Sequence, residues 1–280
     1  MARIGAIGRG SVAGVGCVMS VSYVEALDDP RLQHFTGLTD MQLRMVSEPA
    51  AGIFLAEGEK VIVRALEARL HMVSALMEPK WWPALEPRVP AHVEVFLAPP
   101  DVLRQITGFR LHRGALATFA RPTGPSVHDV LRGARTAILL EDLVDHTNVG
   151  AVFRSAAGLG VDAIVVTRRC ADPWYRRSVK TSMGAVFSLP WATAEETGTA
   201  LKEARRAGMT TVAMDPAAEL SLRRWRPTGP TLLMVGTEGP GLSTQARADT
   251  DVVVSIPMSQ GVDSLNVAAA AAVASYVLTS

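Results

Sequence analysis

The chain has 280 residues, 48% hydrophobic and 20% charged, which is the composition of ordinary globular protein at a length suited to two domains. The formal net charge of +1 argues against a uniformly basic nucleic-acid binder. Yet all but four of the 28 basic residues are arginines, the better bidentate partner for phosphate; the lysines are Lys60, Lys80, Lys180 and Lys202. Cys17 and Cys170 form no Cys-x-x-Cys pair, and the histidines are scattered, so no metal site or dithiol motif is expected. Neither a membrane span nor a convincing signal-peptide core stands out, and the reading is a soluble, cytoplasmic protein with no membrane partner.

Residues 1–20 are rich in Gly, Ala and Val without a helical period and are expected to be a disordered leader, with Met19 a second candidate start. Within it, Gly8-Arg9-Gly10-Ser11-Val12-Ala13 fits a dinucleotide fingerprint but lacks the full strand before it and the helix after it that such a site needs. A first unit, 21–122, reads as strands at 52–55, 93–97 and 114–119 with helical stretches at 29–44, 57–70 and 102–105, Asp101 capping the last. Val93, Val95 and Leu97 share one strand face, and 80–90, with two tryptophans and three prolines, reads as a loop. The breaker-rich stretch 121–126 opens a linker assigned to 123–133. The second unit, 134–280, reads as strands at 136–140, 163–166, 185–189, 210–214, 231–235 and 252–256, with helices at 148–158, 194–207 and 264–278. Gly208 closes the helix 194–207. Apolar strands alternating with helices imply an α/β parallel sheet.

Three constellations lie where strands of such a sheet end. In the first, Asn148 and Arg154 are six residues apart and share a broad helix face, with Gly150 allowing close backbone approach. An Asn cap and a surface Arg on an amphipathic helix fit the same pattern. In the second, a strand runs into Gly236, Glu238, Gly239 and Gly241 without the Gly-Lys-Ser/Thr of a P-loop; a plain strand-turn-helix connection fits equally. In the third, Ile256-Pro257 leads through a polar loop to a helix that Asp263 or Ser264 can cap. That helix is apolar on nearly every face, which calls for burial in its own domain or against a second subunit.

The ordered motifs N-x-G-x-x-x-R from Asn148, G-x-E-G-x-G-L-S from Gly236 and I-P-M-(x)4-D-S-L-N-V-A from Ile256 resemble those of the SPOUT superfamily, SpoU/TrmH branch. The resemblance covers about residues 136–280, and residues 182–187 followed by Pro190 look like the family's middle segment. A weaker one covers about 50–122, where FLAEGEKVIVRAL and ITGFRLHRGALATFARP look like its substrate-binding domain. The resemblance implies a parallel sheet with a C-terminal trefoil knot and a smaller α/β substrate-binding domain before it; from the apolar last helix itself a homodimer built partly on that helix is expected. The resemblance also implies S-adenosylmethionine-dependent transfer of a methyl group to an RNA ribose 2′-hydroxyl, in ribosomal rather than transfer RNA. By motif position, Asn148, Arg154, Glu238, Ser264 and Asn266 are the implied catalytic residues, with Asn148 orienting Arg154 and Glu238 holding the loop. Gly236, Ile256, Leu265 and Met214 are the implied cofactor contacts. Where the family often has Asp-Pro before the Asn, this chain has Asp145-His146-Thr147.

Arg168, Arg169, Arg176, Arg177 and Lys180 flank Trp174 and Tyr175, a combination suited to phosphate contact and base stacking, although a solvated loop would look the same. Arg104, Arg110, His112 and Arg113 form a similar cluster, with Arg110 and Arg113 as its candidate RNA contacts, and Arg223, Arg224 and Arg226 form a third. Two rival readings are a non-catalytic RNA-binding or assembly factor that keeps the fold, and a nicotinamide-dependent oxidoreductase using the Gly8 region.

Overall fold

A computed structural model describes residues 20–111 and 114–280. The Gly8 fingerprint, all of the expected leader except Ser20, and Arg113 lie outside the described residues. The described residues open with β1 (Ser20–Tyr23), α1 (Met41–Ala50), β2 (Ile53–Glu57), α2 (Glu59–Glu67) and β3 (Met72–Met77). It continues through α3 (Trp82–Leu85), β4 (Glu94–Leu97), α4 (Pro100–Thr107), β5 (Ala115–Ala120) and α5 (Val127–Leu131). Then come β6 (Thr136–Glu141), α6 (His146–Gly158), β7 (Ala163–Thr167), α7 (Arg176–Thr181), β8 (Trp191–Ala194) and α8 (Thr197–Arg206). The last elements are β9 (Thr210–Met214), β10 (Thr231–Gly236), α9 (Thr244–Ala248), β11 (Val252–Val254) and α10 (Val267–Thr279).

Two sheets result. The first, ordered β1-β4-β3-β5-β2, is mixed, with β5 antiparallel to both β2 and β3. The second, ordered β11-β9-β10-β6-β7-β8, is parallel throughout. Its inner strands are buried on both faces because their side chains alternate between two cores. Ile138 and Leu140, Ile164 and Val166, and Leu233 and Val235 face one core; Leu139, Val165 and Met234 face the other. The first of these cores also takes Phe54, Met77, Val93, Val95, Leu97 and Phe119 from the first unit, so one continuous apolar layer joins the two sheets.

Several expectations change. The stretch assigned as linker contains α5, whose Val127, Val130 and Leu131 are buried in the second core, and a Ser126–Asp129 capping box starts it. Asp101 is not a cap: α4 starts one residue earlier on Pro100, whose missing N–H costs nothing at that position, and Asp101 sits in its first turn. Residues 185–189 are not a strand, because Gly184 turns left-handed (φ 81°) and a 3-10 turn follows; the edge strand comes later, at β8. Sequence reading also missed β3 and α7.

Candidate active site

The parallel sheet places the motif segments together at the carboxyl ends of its central strands. β6 and β10 end side by side, Gly236 opposite Glu141. Beyond Gly236 the chain folds straight back: Gly241 N–H donates to Thr237 O at 3.0 Å. A Cβ on Gly236 would lie 2.2–2.4 Å from the Gly241–Leu242 backbone, so only glycine fits. Buried Glu141 anchors the far end of this turn. It accepts the Ser243 N–H (2.7 Å) and the hydroxyls of Ser243 (2.9 Å) and Thr197 (2.6 Å). The sequence reading gave Glu141 no role, since a carboxylate ending a strand announces no partner 102 residues away.

Side-chain amides join the three motifs. Asn148 Nδ2 donates to Glu238 Oε1 at 3.0 Å, and Asn266 Nδ2 to the same oxygen at 2.7 Å and to Asn148 Oδ1 at 3.0 Å. Asn266 also caps α10, accepting from the N–H groups of Ala268 (3.0 Å) and Ala269 (3.4 Å). It therefore takes the capping place expected of Asp263 or Ser264. At the other helix, Asp145 caps α6 through the Thr147 and Asn148 N–H groups, so the helix starts before Asn148. The Asn148 N–H, with lesser help from Thr147 and the charge of Arg177, holds the Asp145 carboxyl below its usual range despite partial burial.

Beside this network is a cavity of about 490 Å³. Met214, Gly236, Ile256 and Leu265 all line it, as do Glu238, Ser264 and Asn266. Asp215 and Arg247, which sequence reading missed, line it too and pair at 2.7 Å; that bond chiefly holds the Asp215 carboxyl low. Glu238, by contrast, is exposed and accepts only side-chain amides, with no cationic partner among the described residues. The lining therefore combines an apolar wall (Val235, Ile256, Leu265, Val267, Ala270), exposed glycine backbone and one uncompensated carboxylate. Such a site suits a ligand of a few hundred Å³ with apolar surface and a cationic centre.

The expected cations divide sharply. Arg154 and Arg177 are exposed and make no hydrogen bond or ion pair among the described residues, and Arg110 is likewise exposed and free. Asn148 thus turns to Glu238 and Asn266, and no bond joins it to Arg154. Arg168 pairs with Glu195 at 2.5 Å and Arg169 with Asp142. Arg176 (2.8 Å) and Lys180 (2.5 Å) both pair with buried Glu57 of β2, and Arg176 also lies over the Phe109 ring, so neither is a free phosphate contact. The aromatics are not stacking platforms: Tyr175 is buried against His146, and Trp174 packs among Phe54, Phe187 and Trp191. Burial draws them into the layer between the sheets because the alternative is apolar ring surface in water.

No group of three or more His, Cys, Asp or Glu among the described residues is placed to hold a metal ion, and no described helix is long and apolar enough to cross a membrane.

Comparison with known proteins agrees with this geometry. The model of the SpoU rRNA Methylase family matches residues 135–276. An uncharacterized tRNA/rRNA methyltransferase of Mycobacterium tuberculosis is 39% identical over 263 residues, 90% of this chain and 89% of that one. A 23S rRNA (guanosine-2′-O-)-methyltransferase, RlmB, of a Burkholderia species is 28% identical over 223 residues, 75% of this chain and 90% of the relative. Among solved structures, the SpoU methyltransferase AviRb from Streptomyces viridochromogenes, in complex with AdoMet, is 28% identical with a TM-score of 0.76, covering 90% of this chain and 97% of that one. With its own three motifs gathered at one end of a parallel sheet, this chain belongs to the SpoU rRNA methylase family of RNA methyltransferases.

Proposed function

We propose that the protein transfers a methyl group from S-adenosylmethionine to a ribose 2′-hydroxyl of ribosomal RNA, acting as a homodimer. The observation that carries this reading is the Asn148–Glu238–Asn266 network at the rim of the Gly236–Ile256–Leu265 cavity. The relative named for 2′-O-methylation of 23S rRNA and the neighbour holding AdoMet support it.

The cofactor, when bound, supplies an electrophilic methyl group on a cationic sulfur. Gly236, Ile256, Leu265 and Met214 would hold it by backbone and packing, and uncompensated Glu238 favours its positive charge. Ser264 and Asn266 would line the ribose site. A 2′-hydroxyl is a weak nucleophile that must lose its proton, to water or to an RNA phosphate oxygen, as it attacks. Arg154, a guanidinium that stays protonated, suits the stabilisation of the developing alkoxide, or the holding of a neighbouring phosphate, and not proton abstraction.

The dimer reading rests on α10. Val267, Ala271, Ala274 and Leu278 face the core while Val273 (43% exposed) and Tyr276 (65%) stay outside, an apolar face that a second copy would cover. We further propose that the loops around β9–β11 carry the family's trefoil knot and that the first sheet belongs to the RNA-binding unit, 21–122.

The test is tritiated-methyl transfer to ribosomal and transfer RNA, followed by mapping of 2′-O-methyl sites in cells with and without the gene. Arg154→Ala is expected to abolish transfer while fold and cofactor binding persist; full activity in that variant overturns the assignment. Light scattering at micromolar concentration that reports a monomer overturns the dimer.

A further inference from the structure

The paired cations of α7 belong to a strut between the two sheets, and the strut ends on the helix that carries Asn148 and Arg154. Glu57, the last residue of β2, has a side chain only 1% exposed, yet it receives both Arg176 and Lys180, one turn apart on α7. A second tie runs parallel to the first: Arg121 donates to Ile53 O of β2 (2.6 Å) and pairs with Asp172 (2.7 Å), whose carbonyl accepts the Ser178 hydroxyl of α7 (3.0 Å). On its other side α7 meets α6 backbone to backbone. A Cβ on Gly150 would come within 2.6 Å of Ser178 O and 2.9 Å of Thr181 Cβ. That contact lies two residues after Asn148 and four before Arg154. Gly150 brings no side chain of its own to cushion the contact, so a displacement of α7 passes directly into α6.

We propose that Glu57 is a positioning residue for methyl transfer: it holds α7 against β2, and through the Gly150 contact it fixes where α6 presents Asn148 and Arg154. The first sheet then sets the geometry of the reaction as well as meeting RNA. The activity arm of this proposal rests on the methyltransferase reading; the coupling itself does not.

The test compares full-length wild type with Glu57→Gln, the milder Lys180→Met, and Arg31→Gln as a control at the far edge of the first sheet. Hydrogen exchange followed by mass spectrometry is expected to show α6 and α7 amides opening about tenfold faster in Glu57→Gln, with β9 and β10 unchanged and Lys180→Met intermediate. In methyl transfer, Glu57→Gln is expected to lower kcat about tenfold or more, the scale of an ångström-level misplacement, with RNA KM and cofactor Kd within about twofold. Arg31→Gln leaves all of these as in wild type. Should Glu57→Gln fail to fold, Lys180→Met carries the same comparison, because Arg176 still holds Glu57 in it. Three results overturn the proposal: α6 exchange unaltered in both variants, exchange rising evenly over the whole chain, or KM rising at constant kcat, which would return Arg176 and Lys180 to RNA binding. If wild type methylates no RNA, the functional reading fails while the exchange measurement still decides the coupling.

Discussion

Gly236→Ala tests the cavity directly. The added methyl would sit 2.2 Å from Gly241 C, 2.3 Å from Leu242 N and 2.4 Å from Gly241 O. Ordinary contact begins near 3.4 Å, so strand and turn must part by about 1.2 Å. The strand cannot retreat, because Gly236 is paired with Glu141 across the sheet. The displacement therefore falls on the turn 237–242, stretching the Thr237–Gly241 closure and pressing Gly239 to Leu242 into the space they line. Overpacking of this kind costs about 1–3 kcal/mol. If that cost falls on the binding-competent form, cofactor affinity drops roughly five- to hundredfold at about 1.4 kcal/mol per decade. Titration calorimetry with S-adenosylmethionine reads the loss. Gly198→Ala, in α8 with nothing nearer than 3.8 Å, controls for a bare methyl group and is expected to bind as wild type. A Gly236→Ala protein that binds within twofold of wild type and unfolds at the same temperature would refute the close turn.

Asn266→Ala removes the cap of α10 and two exposed amide bonds; a loss of about 1–2 kcal/mol is expected in urea unfolding, and an unchanged midpoint would show that the cap carries no stability. Arg177→Ala is expected to lower the slope of log K against log salt for single-stranded RNA by about 0.7, one phosphate, whereas Arg168→Ala, whose cation is already paired, changes it little; equal effects would contradict the division between free and paired cations. His146 is buried with its Nε2 unpartnered, and burial foremost, with Arg177, lowers its pKa against the opposing charges of Asp172 and Asp145. A lowered folded pKa means the unfolded chain binds the proton first, so this contribution is whole above about pH 6.5 and is lost as pH falls through the folded value. His146→Phe should therefore flatten the decline of the urea midpoint below that pH; a parallel decline in both proteins would rule out His146 as its source.

The inner strands of the parallel sheet were legible because both their faces are buried, which leaves short apolar runs between breakers, whereas the half-exposed edge strand β8 was not. Met72-Val73-Ser74-Ala75-Leu76-Met77 was not, since its two methionines and its alanine favour no strand and its faces do not alternate in polarity. At the site, Asn148, Glu238 and Asn266 were singled out by the resemblance of their motifs to the family's, and the structure brings the three together, but their bonding partners were not legible. Spacing could not tell that the Asn148 amide would meet a residue 118 positions on instead of Arg154 on its own helix. Arg176 and Lys180 looked like unpaired cations for a related reason: a stretch of sequence carries its own charges but not the buried carboxylate, 119 and 123 residues back, that pairs with both. Trp174 and Tyr175 were misjudged because an aromatic beside arginines reads the same whether it faces RNA or a core.

The bonds that join the motifs span 28, 90 and 118 residues, and the last partner, Asn266, is also the cap that starts the final helix. Closing such separations is entropically late, because the intervening chain must be ordered before the contact is rewarded. During synthesis every strand of the parallel sheet is made before Asn266 emerges, so the site is completed only when α10 packs onto the sheet. Assembly of the site is thereby tied to the arrival of α10, and a chain clipped just before Asn266 would lose both the cross-link between its motifs and the Val267, Ala271, Ala274 and Leu278 side chains that close the first core.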